Sequence, residues 1–147
     1  MLEMIIGSWI ASLGFGILFN IKGKNLLFAA IGGSIGGFLY QVCIEAGLSE
    51  INAMFFASMG FSFYSEILAR LAKTPVTTFI ICALIPLVPG GGMYRTMLAA
   101  IQGDVMKALT TGLNTFIIAG ALVLGILLVS TMMKAITKRK IAKEGSV

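Results

Sequence analysis

Histidine is absent from these 147 residues, and there are only two cysteines, six acidic residues and three prolines. Each shortage removes a class of function. Without histidine the commonest general base and metal ligand is missing, and no nucleophile and base stand at a useful spacing, so nothing points to an enzyme. Cys43 and Cys82 lie in separate apolar runs with no second cysteine nearby, which leaves neither a disulfide framework nor a metal site. Both read as small apolar packing residues. No ATP-binding motif occurs, and no cofactor is implied. Charge is scarce as well: 12% of residues are charged against 58% hydrophobic, and the mean hydropathy is +0.99. That balance excludes an ordinary soluble domain and leaves a membrane protein. A net charge of +5 raises nucleic acid as a partner, but five of the eleven basic residues fall in the terminal "KAITKRKIAKEGSV", directly after an apolar run. A cytoplasmic flank against anionic membrane lipid explains them better.

What is present is a series of apolar runs separated by short charged or turn-forming breaks. The runs cover residues 4–20, 26–48, 51–69, 76–103 and 108–133, and the breaks read "IKGKN", "LSE", "KTP" and "GDVMK". The runs lie near or above the roughly 17 to 25 residues that a bilayer core demands, and none has the period-two alternation of barrel strands. The expectation is therefore an all-α polytopic fold, one transmembrane domain over residues 1–147 with five helices. The first run lacks a preceding basic residue and a convincing cleavage site, so it reads as a retained span. Lys22 and Lys24, Arg70 and Lys73, and the basic tail at 134–147 alternate with acidic or weakly charged connections. The positive-inside rule then places the N-terminus outside and the C-terminus in the cytoplasm, which requires an odd number of crossings.

The fourth run contains "IPLVPGGGMYRTM", with two of the three prolines and three successive glycines. Proline removes a backbone donor and glycine costs about 1 kcal/mol in a helix interior, so a break is expected over 86–92. Each half is too short to span alone, at roughly 18 Å, but the two together cover about 30 to 36 Å. Unwound backbone at mid-depth must be buried in protein or line a watery cavity. Discontinuous helices of this kind form the substrate sites of secondary transporters, with half-helix N-termini facing anionic groups and freed carbonyls facing cationic ones. Pro86, Pro89, Gly90, Gly91, Gly92, Tyr94 and Arg95 are the candidate substrate-binding residues. The free amides near Gly91, Gly92 and Met93, with Arg95 in the first turn, suit a small carboxylate-containing solute. A structural alternative stays open, in which Arg95 serves as the ion-pair partner of Glu66.

Other polar residues in the runs have two readings each. Glu66 and Arg70 share a helix face, either as a local ion pair or as a coupling relay for protons or ions. Glu45 and Gln41 could line an exit path, Asp104 is an interfacial charge, and Asn114 is expected to hydrogen-bond between helices. In "GGSIGG", Gly32 with Gly36 and Gly33 with Gly37 stand at helical spacing, which signals close helix packing within the chain or with another subunit.

The stretch "PLVPGGGMY", with "ARLAKTP" before it and "GFGILFNIKGKNLLFAAIGGSIGGFLY" earlier, resembles the threonine/serine exporter family. The likeness is to its small subunit, which corresponds to the C-terminal half of the single-chain exporters, and it runs from Phe15 to the fifth span. The proline-glycine motif falls on Pro86, Leu87, Val88, Pro89, Gly90, Gly91 and Tyr94; Arg95 is not carried by the resemblance. Membership implies export of small amino acids or of a small dicarboxylate such as succinate. It also implies a partner, a larger membrane subunit matching the N-terminal half. The readings that remain are a secondary-active exporter subunit, a noncatalytic assembly subunit of the same exporter, and a homo-oligomeric exporter or channel.

Overall fold

A computed structural model describes residues 2–144, with side chains as far as Thr137. Most of the basic tail therefore lies outside the described side chains. The described chain is all helical: α1 Leu2–Leu18, α2 Lys24–Glu45, α3 Glu50–Ala72, α4 Val76–Leu84, a 3-10 turn Ile85–Leu87, α5 Gly90–Ile101 and α6 Val105–Glu144. Turn chemistry sets the ends. Asn20, Gly23, Gly47, Lys73 and Gly103 take positive φ between consecutive helices, a conformation that stops a helix and redirects the chain. Ser49 Oγ accepts the amide of Asn52 at 3.4 Å and starts α3, and Asp104 Oδ1 accepts the amide of Lys107 at 3.0 Å and starts α6.

Helix α2 sits at the centre, flanked by α1, α3 and α4, while α3 also packs against α6 and α5 packs substantially on α6 alone. The glycines of α2 divide by face. A Cβ on Gly33 or Gly37 would overlap Ser12 or Ser8 of α1, whereas one on Gly36 would come within 2.7 Å of Leu87. A Cβ on Gly32 would stand 3.4 Å from Ala83 and Tyr64. Neighbouring helices can thus approach α2 closely on two adjacent faces, as small residues permit in membranes.

The molecule is a multi-pass membrane protein, and its polarity is arranged accordingly. Large apolar side chains such as Leu113, Phe116, Leu124 and Leu127 of α6 are exposed. The polar side chains Ser58, Ser62, Ser65 and Glu66 of α3 are buried. Among the described helices only α2 and α6 are long and apolar enough by themselves to cross a membrane, and α4 with α5 adds a third if that pair, bent by 52°, is a single span. Helix α1 has 17 residues, and the 23-residue α3 is diluted by the serines and Glu66 that it turns inward.

Candidate functional site

The break in the fourth apolar run differs from expectation in place and in composition. Helix α4 ends at Leu84, the 3-10 turn follows, and α5 already begins at Gly90, so the three glycines are helical and only 85–89 depart from the α-helix. None of the three has positive φ. Gly92 is small because Thr115 of α6 is adjacent: a Cβ there would overlap its side chain.

The prolines act through the carbonyls they leave without donors. Pro86 cannot donate to the carbonyl of Cys82, and Ser12 Oγ of α1 does so instead, at 2.8 Å and fully buried. Pro89 cannot donate to Ile85, whose carbonyl accepts from Val88 at 3.3 Å. At the start of α5, the amides of Gly92 and Met93 both reach the carbonyl of Pro89, and that of Gly90 reaches Val88. Of the amides expected to be free, only that of Gly91 lacks an acceptor among the described residues, and the carbonyls of Pro86 and Leu87 lack backbone donors there. The site keeps one free donor and two free acceptors.

The break lies a little more than half the length of α3 from the α3–α4 loop. Helix α4 and its turn run roughly 20 Å from the α3–α4 loop, whereas α3 is about 34 Å long. Around the break is a cavity of 520 Å³, whose other walls are Met4 at the start of α1, Tyr40 near the end of α2, and Glu50 and Met54 at the start of α3. Its volume suits a small solute. Pro86, Pro89, Gly90, Gly91, Gly92 and Arg95 all line it, together with Lys107, Thr111, Asn114 and Thr115 of α6. Arg95 lies in the second turn of α5, and its Nε donates to the carbonyl of Gly91 at 3.1 Å. It is not the partner of Glu66. That carboxylate pairs with Arg70 at 3.6 Å, and Arg70 Nη2 also donates to the carbonyl of Met133 at 3.1 Å, tying α3 to α6.

Five residues singled out from the sequence lie away from the cavity wall. Tyr94 is 67% exposed and absent from the cavity wall, which α5 lines through Gly90, Gly91, Gly92 and the exposed Arg95. Glu66 and Arg70 lie on α3 at least about 18 Å along the axis from Met54. Gln41 and Glu45 hydrogen-bond to each other at 3.1 Å and do not line the cavity.

The contribution of α6 was underestimated from sequence, where Lys107 read as a loop charge and Asn114 as packing. Lys107, Thr111, Asn114 and Ile118 form one stripe at spacings of four, three and four, the period of a helix face. Thr115 Oγ1 donates to the carbonyl of Thr111 at 2.7 Å, and Thr96, off the cavity wall, donates to that of Gly92 at 2.8 Å. Their lone pairs remain available.

No solved structure matches the chain. An uncharacterized protein of Haemophilus influenzae is 27% identical over 127 residues, which cover 81% of this chain and 43% of that relative. The chain thus spans less than half of the curated relative it matches. Residues 4–132 match the family described as Threonine/Serine exporter, ThrE, and the chain belongs to that family.

Proposed function

We propose that the chain is the small membrane subunit of a secondary-active exporter of threonine, serine or a related small carboxylate. It works beside a larger membrane subunit that supplies the rest of the exporter. In this reading α1, α2, α3, the bent α4–α5 pair and α6 make five crossings, with the N-terminus outside and the C-terminus in the cytoplasm. The cavity then opens toward the outside, as an exporter requires after it has carried its cargo across.

One observation carries the reading: the break in the fourth span lines a cavity that also holds two cations without an ion-pair partner. Among the described residues, neither Arg95 nor Lys107 forms an ion pair. Both line the cavity with the start of α5, where the Gly91 amide has no acceptor among the described residues. A carboxylate placed between them receives two charges and a backbone donor, which makes this the anion end of the site. Glu66 with Arg70 is the candidate coupling pair, its carboxylate buried, its guanidinium exposed, and both remote from the cavity.

A noncatalytic assembly role is favoured by a different observation, the exposure of α5 on every side except that facing α6. Transport separates the two. The complex, purified with its partner and reconstituted in proteoliposomes, is expected to export labelled threonine or succinate and to lose that flux to an uncoupler. Arg95→Gln and Lys107→Gln should each lower efflux by about tenfold or more with assembly intact. Unchanged efflux in both variants would remove the cavity from transport and leave the assembly role.

A further inference from the structure

The cavity that holds Arg95 and Lys107 also holds a carboxylate, Glu50, and no ion pair within 4.0 Å joins it to either cation among the described residues. The three charged residues come from different helices and are exposed. Their unpaired charges of both signs suit a ligand that itself carries both. We infer that Glu50 binds the ammonium group of the transported solute and so selects an α-amino acid over a dicarboxylate.

The placement of Glu50 supports this role. It is the first residue of α3, a position where an acid commonly serves the helix N-terminus. That task is already filled by Ser49, which caps the helix through the Asn52 amide. The Glu50 side chain is therefore free to face the cavity, where Tyr40 and Asn114 add neutral polar groups to the same lining. In this inference an α-amino acid sets its carboxylate toward Arg95 and its ammonium toward Glu50. A dicarboxylate satisfies the cationic end but sets its second carboxylate against that of Glu50, a like-charge contact that disfavours it.

This inference rests on the cavity being the substrate site, and the test keeps the two apart. The complex is purified from native membranes through a tag on this chain, so that any accompanying subunit is retained, and equilibrium binding of labelled threonine and of labelled succinate is measured. Glu50→Gln is expected to weaken threonine about ten- to hundredfold while leaving succinate unchanged or tighter. Glu50→Asp, which keeps the charge, should recover most of the threonine affinity. Equal loss of both ligands in Glu50→Gln, or no loss of either, overturns the role of Glu50. If Arg95→Gln and Lys107→Gln also leave both ligands untouched, or the wild-type complex binds neither, the cavity itself is not the site.

Discussion

Replacing Ser12 by alanine removes one hydroxyl and almost no volume, yet the structure assigns it a measurable cost. That hydroxyl donates to the carbonyl of Cys82 at 2.8 Å, and both residues are fully buried. Pro86 is the reason the carbonyl needs it, since the residue four positions on supplies no N–H. A buried acceptor left without a donor costs about 1–3 kcal/mol, and water is scarce in a bundle whose outer surface faces lipid. For a chain of this length, that corresponds to a fall of roughly 2 to 10 °C in Tm. The decisive comparison is made in a Pro86→Ala background, where residue 86 regains its N–H and can satisfy Cys82 from within the helix. There Ser12→Ala should cost less than about 0.5 kcal/mol. Reversible unfolding in mild detergent, followed by circular dichroism for all four proteins, gives both numbers. Equal costs in the two backgrounds would refute the argument, because the hydroxyl would then act through packing alone.

Gly92→Ala should separate α5 from α6, because the added methyl overlaps Thr115; a loss of about 1–3 kcal/mol is expected, recovered when Thr115→Ala is added, and unfolding of the double variant checks it. Asp104→Ala should cost about 1 kcal/mol by removing the cap on the Lys107 amide, whereas Asp104→Ser should retain most of the stability, both read from Tm.

Much of this architecture is legible in the sequence for simple reasons. Glycine pairs four apart announce close helix contacts, and prolines in an apolar run announce a break. The rest was hidden by interactions that sequence spacing does not encode. The triple glycine reads as unwound backbone, but its smallness answers to Thr115, a residue 23 positions after Gly92. Lys107 reads as a loop charge until the Asp104 cap starts α6 early enough to place it on the Asn114 face. The Glu66–Arg70 pair, four apart on one helix, was legible from spacing, but the second bond of Arg70, to the carbonyl of Met133 on α6, was not. The mean hydropathy of α3 is lowered by serines that are buried in the bundle, which a composition window cannot register.

The lateral packing has a mechanical consequence. Each of the other helices is held on at least two sides, but α5 leans on α6 alone and joins the remainder of the bundle through the short Val88–Pro89 link. Rotating it about that link disturbs a single seam, and the seam is lined by small groups, Gly92 against Thr115 and Gly112 against Thr96, which interlock little. One wall of the cavity is therefore hung like a door on a narrow hinge, while the opposite walls belong to the frame.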